Sequence, residues 1–269
     1  MTGRRRLAGP ALMLIALTGC ALTVTPAERS GREAPDRVAA PGSPAEAPAH
    51  RRWGLTSPLS PPPRPPSHSP PARSAGLPPV VDRVRTGDKV VFLTYDDGAE
   101  RDPRFVDMVR ELRLPVSMFL TDSVVGPGYG HFSRLRSVGA SIQNHTLDHA
   151  ALRGLPLAGQ RAEICGQQTK LGSRFGVRPR LFRPPYGLHD TTTLRAAADC
   201  GISAVVLWRA TMDAYGLTFT GGADRLRPGD IVSVPATETP TPSLVARTTR
   251  LLNRIQEAGL TVGRLEDYL

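Results

Sequence analysis

The chain has 269 residues, 40% of them hydrophobic, and a formal net charge of +10 carried almost wholly by arginine, since Lys89 and Lys170 are its only lysines. That is apolar residue enough for a real core. Aromatics make up only 5%, and the arginines are scattered among acids, which excludes the basic stripe with interleaved aromatics of a nucleic-acid binder.

The first residues speak to compartment. Arg4-Arg5-Arg6 is followed by an apolar run from Leu7 to Leu17. That run is too short to cross a hydrocarbon layer of about 30 Å, which needs about 20 residues, and it reads as a secretory signal. Leu17-Thr18-Gly19-Cys20 resembles the bacterial lipoprotein signal. The resemblance implies a signal peptide over residues 1–19, a lipidated Cys20, and a protein tethered to the outer face of the cell membrane. With Cys20 set aside, Cys165 and Cys200 remain as an even pair in an oxidising compartment, a disulfide candidate.

Sixteen of the 27 prolines precede residue 83, and Pro61-Pro62-Pro63-Arg64-Pro65-Pro66 suits neither a helix interior nor a central strand. Residues 20–82 therefore read as a disordered, partly polyproline linker in which His50, His68 and Trp53 are solvated. Fully extended at ~3.1 Å per residue, it would reach on the order of 190 Å.

From residue 83 onward the texture changes to one folded domain, 83–269. Lys89 to Tyr95 is an apolar run ending in Asp96-Asp97-Gly98, as in a buried strand. A helix is expected over 104–113, where Phe105, Met108, Val109 and Leu112 share a face. Strands follow at Val116–Leu120, Ala140–Asn144 and Leu181–Phe182. A helix from Thr191 to Cys200, closed by Gly201, leads to a strand over Ser203–Trp208, and another strand lies at Ile231–Val234. The clearest helix is 242–258, with Thr241 as N-cap, Pro242 as first helical residue and Gly259 as stop. Leu260–Val262 is the last strand. Alternation of this kind implies a parallel sheet with helical cover. The expected fold is α/β, a distorted or partial (β/α) barrel of about seven strands, and no internal repeat is present.

Functional side chains of such folds gather where strands end. Three polar clusters fall there: Asp96-Asp97, then His145-Thr146-Leu147-Asp148-His149, then Arg183-Pro184-Pro185-Tyr186-Gly187. Alternation along a strand points adjacent carboxylates in different directions. One can bind a cation while the other faces elsewhere. Two histidines four apart reach one ion from a single turn of chain, and two imidazoles with one carboxylate leave positions open, as catalytic zinc sites do.

Thr94-Tyr95-Asp96-Asp97-Gly98, His145-Thr146-x-x-His149 and Arg183-Pro184-Pro185-Tyr186, in that order, resemble the first three motifs of the polysaccharide deacetylases, the NodB-like carbohydrate esterases of family four. The resemblance covers about residues 85–269. It implies a distorted (β/α) barrel and removal of acetyl groups from N-acetylated or O-acetylated polysaccharide. Tethering to the membrane makes a wall polymer such as peptidoglycan the expected partner, and a monomer is expected. By matching motif it implies Asp96 as catalytic base, Asp97, His145 and His149 as ligands of a divalent metal (Zn²⁺), and Thr146 as brace of the histidine loop. Arg183 is expected to orient Asp96, the Tyr186 backbone N–H to serve the oxyanion, and Tyr186 and Trp208 to contact substrate.

Two departures stand out. The fourth motif places an acid shortly after a tryptophan to hold the arginine. Here Trp208 is followed at that spacing by Thr211, with Asp213 two residues late as the substitute. The fifth motif ends in a histidine acting as general acid, where this chain has Pro235, and no histidine occurs after His189. His189 is the best-placed surrogate, ahead of His131 and Glu238. Two other readings remain open at this point, a catalytically impaired carbohydrate-binding lipoprotein and a metal-dependent amidase acting on a non-sugar substrate.

Overall fold

A computed structural model describes residues 47–65, 76–222, 224–236 and 241–269. Cys20 with its expected lipid, His68 and Glu238 lie outside the described residues.

The sheet is built around β2 (Val90–Asp97), after the two-residue β1 (Val80–Val81). Residues 90–95 of β2 are buried on both faces, which is why its sequence is a continuous apolar run rather than an alternating one. Then come α2 (Pro103–Leu112), β3 (Val116–Leu120), α3 (Asp122–Val125), α4 (Tyr129–Ser137), β4 (Ser141–Asn144), α5 (Leu157–Phe175), β5 (Leu181–Phe182) and α6 (Thr191–Asp199). β6 (Ala204–Val206), β7 (Ala210–Met212), β8 (Leu217–Phe219), β9 (Ile231–Val234), α7 (Leu244–Glu257) and β10 (Thr261–Val262) complete the domain; α1 (Ala49–Arg52) precedes it.

The strand order is β1-β6-β5-β4-β3-β2-β9-β7-β8, parallel throughout except for the β7–β8 hairpin, and β10 pairs with only the first two residues of β2. The sheet curls into a half-barrel. Val80 and Val81 pair with β6, and three residues later the Val84 N–H donates to the Gly229 carbonyl at the foot of β9. The same short segment thus touches both sides of the opening. The three strands beyond the seven expected are β1, β7 and β8, each two or three residues long and too short to leave a periodic signal.

The helices follow their expected faces. α2 buries Phe105, Val106, Met108 and Val109, with Asp102 as an N-cap whose side chain accepts from the Arg104 N–H. The start of α7 corrects the sequence reading: its N-cap is Ser243, whose hydroxyl accepts from the Ala246 N–H at 3.2 Å, and Leu244 rather than Pro242 is the first helical residue. Thr241 stands two residues too early for its hydroxyl to reach those amides. α5, α4 and α3 lie over stretches assigned no boundaries from sequence.

Cys165 and Cys200 are bonded, with Cα atoms 5.0 Å apart, and they join α5 to the end of α6 on either side of β5. The enclosed separation of 35 residues is worth about 4 kcal/mol in the chain-entropy account.

The expectation of an unstructured linker across residues 20–82 needs correcting at Val80–Val81, which pair with β6 as β1, and for residues 47–65. Trp53 and Leu55 are buried in the main core, not solvated. The Trp53 indole N–H donates to Glu111 at 2.8 Å, and Arg52 pairs with the same carboxylate. Thr249, Asn253 and Gln256 on α7 donate to the carbonyls of Trp53, Gly54 and Ser57. Two apolar residues spaced to enter the α2–α7 groove outweigh the polyproline character of the segment C-terminal to them.

Candidate metal centre and catalytic site

Four strand ends converge on one point. β2 delivers Asp96 and Asp97, β4 leads into His145, β5 leads into Arg183, and β9 carries Ser233 in register with Thr94. After Asp97 the chain turns through Gly98 at φ 87°, where a Cβ would stand 2.8 Å from Val125.

Asp97, His145 and His149 come together as the sequence predicts. Their candidate ligand atoms all lie within 4.8 Å of one another. Nε2 of His145 and of His149 are 3.2 and 3.1 Å from the same Asp97 oxygen, Oδ1. Yet that oxygen is fully covered and neither ring is aligned to hydrogen-bond it. The His145 Nδ1–H donates to the Arg183 carbonyl at 2.8 Å, which leaves the lone pair on Nε2, the atom aimed inward. A buried, orphaned carboxylate oxygen facing two imidazole nitrogens fits a divalent cation in its donor set as well as its convergence. Burial pushes the Asp97 carboxyl up, but the two histidines outweigh it and hold the group well below the usual carboxylate range. The contact with Asp97 raises His149 against the opposing effect of its burial.

Asp96 has opposite surroundings. Its Oδ1 accepts from Arg183 Nη1 at 2.5 Å and its Oδ2 from the Ser233 hydroxyl at 2.8 Å. Arg183 is completely buried, lies 4.4 Å over the Phe119 ring and 5.3 Å from that of Trp208, and spends its other donors on the carbonyls of Val206 and Leu207, both at 3.2 Å. Burial lowers the guanidinium pKa and Asp96 opposes it, so the arginine stays charged.

Several expectations need correcting. Asp213 does not hold Arg183; its Oδ1 accepts from the N–H groups of Tyr215 and Gly216 and closes the β7–β8 hairpin. The carbonyls of Val206, at the end of β6, and of Leu207 just beyond it take that task. The Thr146 hydroxyl is buried without a partner and braces nothing. The histidine loop is held instead by Asn144, whose Oδ1 accepts from the Thr146 N–H, by Glu163, whose Oε2 accepts from the N–H groups of Leu147 and Asp148, and by the Thr121 hydroxyl on the His145 carbonyl. Sequence reasoning missed Ser233, Glu163 and Asn144. Only Ser233 left a signal, a lone hydroxyl in an otherwise apolar strand.

Pro235 occupies the position of the expected general acid, and its carbonyl accepts from Nη1 of the fully buried Arg247, which also pairs with Glu100. His189 is half-buried on the loop after Tyr186, with Nδ1 3.2 Å from the Gly187 carbonyl. His131 is buried on α4 beside Phe132, and the charges it senses are Arg134, Arg101 and Asp102, none of them in the site. Tyr186 is 63% exposed, its ring edge-on to His149 at 4.9 Å. Trp208 walls a cavity of about 320 Å³ together with Gly187, Leu207 and Thr220.

Strain concentrates here. Among the described residues five non-glycines have positive φ, and four are Asp97, Thr146, His149 and Tyr186, between 57° and 72°. The fifth, Arg113, ends α2. Left-handed backbone on such residues persists only where its surroundings impose it, as functional sites do.

The family model for polysaccharide deacetylase matches residues 83–205, the stretch that carries all three clusters. Residues 83–205 of the chain belong to the polysaccharide deacetylase family. An uncharacterised protein of Streptomyces coelicolor is 58% identical over 99% of both chains. The peptidoglycan-N-acetylglucosamine deacetylase of Bacillus cereus is 28% identical over 48% of this chain, which spans about half (47%) of that enzyme's length. Among solved structures, a family four carbohydrate esterase pseudoenzyme from Bacillus anthracis superposes with a TM-score of 0.58 at 19% identity, covering 71% of this chain and 69% of the other. At that identity the deacetylase fold is what is shared.

Proposed function

We propose that the chain is a zinc-dependent deacetylase acting on an acetylated wall polysaccharide at the outer face of the membrane, to which a lipid on Cys20 anchors it. The observation that carries this reading is Asp96. A protein that only bound glycan would have no use for a carboxylate held on one oxygen by a buried arginine and on the other by a serine, beside a metal cradle. The peptidoglycan-N-acetylglucosamine deacetylase among its relatives supports the substrate class.

Asp97, His145 and His149 would hold the ion, which when bound supplies Lewis-acid polarisation of the acyl oxygen and of water. Asp96 takes the proton from the attacking water, with Arg183 and Ser233 keeping its carboxylate aimed. The Tyr186 N–H donates to the developing oxyanion. Exposed Tyr186 and half-buried Trp208 offer their rings to the sugar. Pro235 can neither give nor take a proton, and His189 is the residue of the same loop able to protonate a leaving nitrogen. An ester depends on that proton less than an amide does, so O-acetyl groups should be favoured over N-acetyl groups more than in relatives that keep the histidine.

The test is acetate release from a panel of N- and O-acetylated glycans by the purified, zinc-loaded chain. Pro235 favours one second reading, a glycan-binding protein without turnover. Binding of these glycans with no release of acetate, and no hydrolysis of a small acetylated ester, would establish it instead.

A further inference from the structure

The end of the barrel opposite the catalytic site holds a second, differently charged cavity. It has a volume of about 510 Å³, within the range of small-ligand sites, and lies where the chain enters β4 and β5. His145 and Arg183 leave those two strands at their other ends. Arg136, Arg178, Arg180 and Arg264 line it, from the end of α4, the loop before β5 and the segment after β10.

Among the described residues these four guanidinium groups have no acidic side chain as partner. Among the described residues none of them lies within 4.0 Å of a carboxylate, whereas Arg52, Arg83, Arg110, Arg161, Arg209 and Arg254 elsewhere on the surface each do. The one acidic side chain among its lining residues, Glu266, is turned into its wall. Its Oε1 accepts from the hydroxyls of Ser117 and Ser141 and from the Gln143 amide, and its Oε2 is fully covered. Arg264 spends one donor on the Gly139 carbonyl and Arg180 one on Ser203. Every guanidinium has five N–H donors, so most remain for a ligand.

We propose that this cavity binds phosphate groups of a phosphodiester-linked polyanion. Guanidinium forks match phosphate oxygens two at a time, and several converging forks hold successive phosphates of one chain. A concave site admits such a chain end-on, while a flat bilayer surface cannot enter it. The site is separate from the metal cradle and does not depend on the deacetylase reading. It gives the protein a grip on an anionic polymer at one end of the barrel while the other end stays open to glycan.

The experiment is calorimetric titration of the full chain with a synthetic hexamer of glycerol phosphate. Parallel titrations use inorganic phosphate and vesicles of anionic lipid. Three proteins are compared: wild type, Arg136→Gln/Arg178→Gln, and Arg104→Gln/Arg195→Gln, which loses the same charge from exposed positions outside the cavity. The expected result is hexamer binding weakened at least tenfold by the cavity pair and less than threefold by the control pair, with melting temperatures unchanged. Three outcomes overturn the proposal: no hexamer binding, equal weakening by the two pairs, or binding to vesicles but not to hexamer. Inorganic phosphate should bind at least tenfold more weakly than the hexamer, and equal affinity would reject the polymer as ligand.

Discussion

Asp96 and Asp97 are neighbours in the chain, and the two halves of the site built on them are finished differently. Around Asp96 every acceptor is met by the protein itself, through Arg183 and Ser233. Around Asp97 an oxygen is buried without a hydrogen bond, two imidazoles crowd it, and the backbone of both Asp97 and His149 is left-handed. The first half is complete as a polypeptide and the second calls for a cation. A carboxylate that must move a proton is pre-set by donors, whereas one that must bind a metal is kept free of them.

The largest expected effect breaks the second half alone. His145→Ala should lose the metal, measured by elemental analysis, and with it all detectable acetate release. Retention of one zinc per chain in this variant would reject the assignment. Next, Asp96→Asn should keep its full metal content and fall by roughly 10²–10⁴ in rate. If zinc is lost as well, the two halves are not independent. His189→Ala should slow N-acetyl substrates by roughly 10²-fold and leave ester hydrolysis and zinc content nearly unchanged; equal rates with wild type on both substrates would remove His189 from the mechanism.

The smallest effect sharpens the contrast from outside the site. Asp190 caps α6, and its carboxyl is lowered to about 2 by the Gly154 N–H and by the backbone and hydroxyl of Thr193. A pKa lower in the folded than in the unfolded chain stabilises above the unfolded value of 3.8 and ceases to as pH falls through the folded value. Asp190→Ala should therefore cost about 1 kcal/mol at neutral pH, a deficit that fades between pH 4 and 2. Denaturant melts at pH 7 and pH 2 measure it, and turnover at pH 7 should not change.

Much of this arrangement was legible in the sequence because its signals are local. The apolar run before Asp96-Asp97 marks a buried strand, and His145 and His149 lie within one turn of loop. Ser233 and Glu163 were not legible. Ser233 meets Asp96 across 137 positions through the β2–β9 register, and Glu163 reaches the histidine loop from a helix whose bounds no periodicity announced. Asp213 shows the converse. Its spacing after Trp208 suggests a partner for Arg183, but an aspartate two residues before a Tyr-Gly turn satisfies those amides first. The basal arginines look dispersed along the chain at 136, 178, 180 and 264, and only folding gathers them.

The left-handed backbone at Asp97, Thr146, His149 and Tyr186 sets stability and activity against each other at the level of selection. Each of these residues gives up ~1–2 kcal/mol that glycine would not. A library screened for thermal resistance alone should therefore accumulate glycine at these four positions, and its hardiest members would be folded barrels without a metal cradle. Screening the same library for zinc retention would restore the strained residues and accept a lower melting temperature.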